Sequence, residues 1–178
     1  VSSVDRITDS QGQPDTFPGQ SADGCFVTWD EAPSIGGAEH DVRIAHLPSG
    51  ESGTLLDHAR YPSWSHDGSN LVFAGIAPRS PQVYIAGMDT DCATGDAFVT
   101  SQDPVTDLYR TGDPDFTPDA TKVVFNYNRD ADAISTLAVV DLSSLVVTDL
   151  SATDGAGHAF VRDEGDGIGF GNSQEGGQ

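Results

Sequence analysis

Tyr61-Pro62-Ser63-Trp64-Ser65-His66-Asp67-Gly68-Ser69-Asn70-Leu71-Val72-Phe73 is the stretch that decides the fold. Proline is tolerated at the start of a strand, where no ladder donor is needed. Asp67-Gly68 is a turn dipeptide, and the β-branched and aromatic run behind it reads as the second strand of a hairpin. The same arrangement recurs without gaps at Phe17-Pro-Gly-Gln-Ser-Ala-Asp23-Gly24 and at Asp113-Pro-Asp-Phe116-Thr-Pro-Asp119-Ala120. A weaker fourth copy is Ala159-Phe160-Val-Arg-Asp163-Glu-Gly165. Each strong copy is Pro, two residues, Ser or Thr, one residue, then Asp.

The aligned aspartates Asp23, Asp67, Asp119 and Asp163 lie 44, 52 and 44 residues apart. A period of about 40–50 residues is the length of a four-stranded propeller blade. Second strands are expected at Cys25–Trp29, Leu71–Ala74 and Val123–Asn126. Third strands follow at Val42–His46, Gln82–Ala86 and Thr136–Val140, and fourth strands at Gly53–Leu56, Ala97–Thr100 and Leu145–Thr148. Gly, Pro, Asp and Ser clusters between them read as loops, and no amphipathic helix longer than a turn or two is expected.

The pattern at 62–73, followed by Gln82-Val-Tyr-Ile, resembles the repeat of TolB-type β-propellers, relatives of the WD40 propellers. The same repeat occurs in the propeller domains of prolyl-oligopeptidase-like peptidases. The likeness runs over about residues 4–172. It departs from the pattern at Gln20, where an aromatic belongs, and at Ala120, where Gly belongs. The expected fold is all-β, one propeller-type domain over 1–178 with about 3.5–4 four-stranded blades. Its repeat units are approximately 17–58, 61–100 and 112–150, with an outer strand at 4–8 and a half unit at 158–172. Residues 4–8 could join 158–172 in a composite blade that closes a four-bladed ring. Since propellers of this kind generally carry six or more blades, the favoured expectation is a piece of a longer propeller, or copies that complete a ring, with open blade edges that need a partner.

Most of the repeated residues are explained by folding. Pro62 and Pro114 open inner strands, and Trp64 and Phe116 are expected to pack between blades. Asp67 and Asp119 are expected to bond the backbone of their own turns, and Gly68 to supply positive φ.

The 178 residues hold 28 acidic and 8 basic side chains, a formal charge of -20. Twenty-three of the acids are Asp, a turn residue, and Lys122 is the one lysine. Such a chain is a poor partner for nucleic acid or anionic lipid, whose binding is driven by Lys and Arg. No run of 18 apolar residues occurs, so no membrane insertion by an apolar helix is expected. Val1-Ser-Ser-Val-Asp-Arg lacks the basic start and apolar stretch of a signal peptide. That leaves a cytoplasmic protein or a mature form; with the family likeness and the possible disulfide, the expectation is a mature extracellular or periplasmic form.

Cys25 and Cys92 fall in turns of adjacent units on the same face, which makes a disulfide topologically possible, with free thiols as the alternative. A bridge implies an oxidising compartment. Asp89, Asp91 and Asp96 place three carboxylates in one loop and are candidate calcium ligands, as are Asp163 to Asp166, although neither segment has EF-hand spacing. No other cofactor is expected. The five histidines, His40, His46, His58, His66 and His158, show no metal-ligand spacing; His66 and His158 are expected beside turns on one face. Gly-x-Ser-x-Gly is missing, so no catalytic residue is assigned.

These features, with the family likeness, suggest a non-enzymatic scaffold that binds a protein or peptide outside the cytoplasm. Contacts would fall on loops 30–41, 75–81 and 126–133. Alternatives are a structural subunit whose incomplete ring assembles into an oligomer or filament, and an accessory propeller of a peptidase-like enzyme.

Overall fold

A computed structural model describes residues 15–32, 39–76, 78, 81–108, 111–128 and 135–150, with the backbone of 156–161 and 168–172. The expected outer strand at 4–8 and the acidic segment 163–166 lie outside the described residues.

Among the described residues there is no helix, and the strands fall into sheets whose members are consecutive in sequence. The first sheet holds β1 (Asp15–Gln20), β2 (Phe26–Glu31), β3 (Asp41–His46) and β4 (Ser52–Leu56). The second holds β5 (Ala59–Trp64), β6 (Asn70–Gly75), β7 (Val83–Asp91) and β8 (Asp96–Pro104). The third holds β9 (Thr111–Phe116), β10 (Lys122–Asn128), β11 (Ser135–Asp141) and β12 (Val147–Asp149). Two more strands, β13 (Ala156–Val161) and β14 (Ile168–Asn172), pair as a hairpin. All ladders are antiparallel. The order within each four-stranded sheet is the sequence order, so β1, β5, β9 and β13 are the inner edges of successive blades.

The blades pack face to face through two large apolar layers. Phe26, Val42 and Leu56 of the first sheet meet Trp64, Leu71, Phe73 and Ala86 of the second. Val72, Val83 and Val105 meet Phe116, Val123, Phe125, Tyr127, Ala138 and Val140 of the third. Val124 and Leu137 lie on the far face of the third sheet, whose strands β9, β10 and β11 adjoin β13. Neighbouring residues of β6 and β10 therefore enter different layers. That is why Leu71–Phe73 and Val123–Phe125 are unbroken apolar runs: both faces of a middle strand are buried.

The inter-blade aromatic is matched to its seat. Trp64 Nε1 donates to Thr28 Oγ1 at 3.0 Å, and Thr28 is fully buried on β2. The residues equivalent to Thr28 in the next two sheets are Val72 and Val124, five residues after their turn aspartates. Phe116, which has no N–H, packs in the layer that contains Val72.

Four details differ from the sequence expectations. Pro62 and Pro114 do not open their strands but sit inside β5 and β9 within a bulge, where no ladder donor is needed. The last strand of the third sheet is Val147–Asp149; Leu145 has φ 56° and starts no strand because it closes the tight turn from Asp141. The β7–β8 hairpin runs further than expected, over 83–91 and 96–104, because its pairing extends past the layer that buries the other blades. His158 lies inside β13, opposite Gly171, and not beside a turn, because it aligns with Pro62 of the motif and not with His66.

Candidate functional site

The motif aspartates build one turn three times. At the second copy Ser65 N donates to Asn70 O and Gly68 N to Ser65 O. Asp67 Oδ1 accepts from Ser65 Oγ at 2.7 Å, from Ser69 N at 3.0 Å and from Ser69 Oγ at 2.8 Å. Asp23 does the same with Ser21 Oγ and Cys25 N, and Asp119 with Thr117 Oγ1, Thr121 N and Thr121 Oγ1. Gly24 and Gly68 both have φ 74°, and Ala120, standing where Gly belongs, adopts φ 53°.

These hydrogen bonds favour the ionised carboxylates. The Ser65 hydroxyl, then the Ser69 amide and hydroxyl, lower the Asp67 pKa to about 2. Asp23 is lowered by the Ser21 hydroxyl and the Cys25 amide, and Asp119 by the Thr117 hydroxyl and the Thr121 amide. A carboxylate whose folded pKa lies below its unfolded value near 3.9 stabilises the fold above that value. The contribution drains as pH falls from about 4 toward 2. Urea midpoints should therefore decline across that window, and Asp67→Asn should flatten the decline; an unchanged slope would count against the turn assignment.

On the same end of the blades Cys25 and Cys92 are disulfide-bonded, with Cα atoms 5.6 Å apart. The bridge ties the β1–β2 turn of the first sheet to the β7–β8 turn of the second. His46 Nε2 lies 2.9 Å from the Cys92 carbonyl oxygen, and its ring tilts against Phe26. Among the described residues, Asp23, Cys25 and Cys92 are the one group of three metal-type ligand atoms brought together. Both sulfurs are committed to each other, so they offer no thiolate.

Asp89, Asp91 and Asp96 are exposed and do not converge. Asp91 Oδ1 accepts from Ala93 N at 2.8 Å, Asp96 Oδ2 accepts from Thr94 Oγ1 at 2.8 Å, and Asp89 lies opposite Phe98 in the ladder.

The opposite end of the blades holds a different arrangement. Inner strands β1, β5 and β9 each carry a bulge at the residue before the motif proline, with φ 55° at Phe17, 57° at Tyr61 and 44° at Asp113. The backbone repeats, so the bulge belongs to the fold. The side chains do not repeat. The Phe17 and Tyr61 rings meet edge to face with centroids 4.6 Å apart. Gly112 of β9 lies on the other side of the Tyr61 ring, where a Cβ would touch it at 3.4 Å. Tyr61 thus spans from the first inner strand to the third. Arg60 stacks over the same ring at 4.5 Å, and its Nε donates to Asp30 Oδ2 at 3.3 Å. Asp30 has no exposed side-chain surface; its other oxygen is 2.5 Å from His40 Nδ1. Burial, with the nearby charges of Asp113 and Asp30, raises the Tyr61 pKa, against the pull of Arg60. Further along the inner strands Ser63 Oγ donates to Asp115 Oδ1 at 2.6 Å. The result is an aromatic and acidic lining where the inner strands face one another, with Phe17 38% exposed. Sequence reading missed Phe17, Arg60 and Tyr61. The visible signal was that the residue before each motif proline changes from Phe to Tyr to Asp while the proline itself repeats.

No protein-family model matches the chain, and no curated protein is similar enough to be matched. Solved structures do match. A TolB from Acinetobacter baumannii aligns with a TM-score of 0.60 and 18% identity, covering 93% of this chain and 39% of that one. A TolB from Agrobacterium tumefaciens aligns with a TM-score of 0.59 and 22% identity, covering 77% and 49%. An oligogalacturonate lyase in complex with manganese aligns at 0.58 and 13% identity, covering 83% and 44%. The fold is that of a TolB-like propeller. The chain spans less than half the length of each of these three structures, consistent with a partial propeller.

In the TolB-like propeller a second repeated turn joins strands three and four. It begins at His46, Asp91 and Asp141 and carries left-handed backbone at Gly50, Gly95 and Leu145. Asp141 Oδ1 accepts from the Ser143 and Ser144 amides and hydroxyls, and Lys122 Nζ donates to Oδ2 at 3.0 Å. These donors, led by the Ser143 hydroxyl, hold Asp141 well below the usual carboxylate range. The sequence conceals this repeat because its first member is His and its last has Leu in place of Gly.

Proposed function

We propose that this propeller is a non-enzymatic scaffold that binds a protein or peptide segment, outside the cytoplasm, where its inner strands converge. The Tyr61 seat carries the proposal. A ring pinned between Phe17, Arg60 and Gly112 is rigid, amphipathic and loses little entropy on contact, which suits a peptide anchor. The flanking carboxylates Asp113 and Asp115 favour a ligand with basic groups, in keeping with the chain's charge of -20. The ends of β2, β6 and β10, from which the loops expected to make contact depart, lie at this same end of the blades. The Cys25–Cys92 bridge supports an oxidising compartment.

Peptides selected from a random library on the immobilised protein test the proposal. Tyr61→Ala should weaken the selected peptides by about tenfold or more, the loss of roughly 1.4 kcal/mol, measured below the variant's own unfolding transition, which the lost contacts of the ring should lower. Selected peptides that bind Tyr61→Ala as well as the parent protein would exclude the seat.

A further inference from the structure

We infer that the outer edge of the second blade, strand β8, is a docking edge for an extended basic peptide that adds to the sheet as a further antiparallel strand. This site is separate from the Tyr61 seat, being on the opposite margin of the blade.

The three outer strands differ in a way the fold does not demand. β4 has 5 residues and β12 has 3, the short edges with which propellers limit pairing with other chains. β8 has 9 residues, about 30 Å of strand, and β7 is its one ladder neighbour among the described residues. Most of β8 is exposed. Ala97 and Val99 turn toward the layer shared with the first sheet, so the alternating Phe98 faces the other way and is 59% exposed. An exposed aromatic in mid-edge, without a lysine gatekeeper, is an anchor for an added strand.

Charge selects the occupant. Asp89 and Asp91 on β7 and Asp96 and Asp103 on β8 are exposed, and neither strand contains Lys or Arg. Antiparallel pairing of two β8 strands would bring Asp96 of one copy toward Asp103 of the other, and opposed like charges destabilise a ladder. A second copy is therefore disfavoured, and a strand bearing Lys or Arg is favoured. Thr100 is the extra residue of a bulge, since Gly87 pairs with Ser101 and Met88 with Val99. The bulge turns the edge there and places the contact at 96–99, around Phe98.

The test is an amide-shift titration of the intact protein with a short peptide of alternating lysine and valine, beside the same peptide with glutamate for lysine. The lysine peptide should shift most strongly the amides of 96–99, and added salt should weaken it. Phe98→Lys should lower its affinity about tenfold or more, and Asp89→Lys, on an exposed side chain, should do the same if Phe98→Lys misfolds. Tyr61→Ala should leave it unchanged, so failure here is distinguishable from failure of the Tyr61 seat. Equal binding of the glutamate peptide, shifts centred elsewhere, no binding at millimolar peptide, or indifference to both variants would each overturn the inference.

Discussion

Replacing Cys25 and Cys92 by serine should destabilise the propeller by about 4 kcal/mol. The two residues are 67 positions apart in sequence, and cross-linking a loop of that length removes chain entropy worth about that much from the unfolded state. In a chain of 178 residues the loss should lower the thermal midpoint by roughly 10 °C, and a strong dithiol reductant should reproduce it in the parent protein. The bridge also staples the first blade to the second at one end of their shared layer, from the β1–β2 turn to the β7–β8 turn. Its loss should therefore loosen the blade contact before it disturbs either sheet. Thiol titration under denaturing conditions is the direct check: two free thiols would remove the bridge and with it the support for an oxidising compartment.

Thr28→Val should cost about 1–3 kcal/mol although it preserves shape. The change leaves Trp64 Nε1 buried without an acceptor, and an unsatisfied buried donor costs more than the hydrogen bond gains. Trp64→Phe alone should also destabilise, by leaving a void between the blades. The double variant recreates the valine and phenylalanine that the second and third blades already use at Val72 and Phe116. It should therefore be more stable than the two single costs add up to, with a coupling of about 1 kcal/mol or more. Urea unfolding of all four proteins measures the cycle. Strict additivity would show that the Thr28 hydroxyl is not the partner on which Trp64 depends.

The repeated motif was legible in sequence because each of its residues answers a local demand. Pro62 needs a place without a ladder donor, which the bulge after Tyr61 supplies inside β5, Asp67 needs the amide and hydroxyl two residues on, and Gly68 needs positive φ; all three demands are met within a few residues, so they leave a spacing pattern. The apolar runs at 71–73 and 123–125 were legible for a related reason, since a strand buried on both faces has no polar alternation to show. The second turn repeat was not, because a hydrogen-bonded turn tolerates His46 at its first position and Leu145 in its left-handed one. The Tyr61 seat was hidden more deeply. Phe17, Arg60, Gly112 and Asp30 lie on four different strands, and nothing in linear spacing sets how far one inner strand stands from the next.

Sequence by itself determined the class of fold, the blade period and the role of the turn aspartates, because those follow from backbone hydrogen bonding over short distances. Only the tertiary structure decided that Cys25 meets Cys92, that Thr28 is polar to receive Trp64, that the three candidate calcium carboxylates do not converge as a group, and that among the described blades the second carries the long exposed edge. Each of those depends on how one sheet is set against another. That arrangement is fixed by burial summed over two whole faces, a quantity no single stretch of the chain contains.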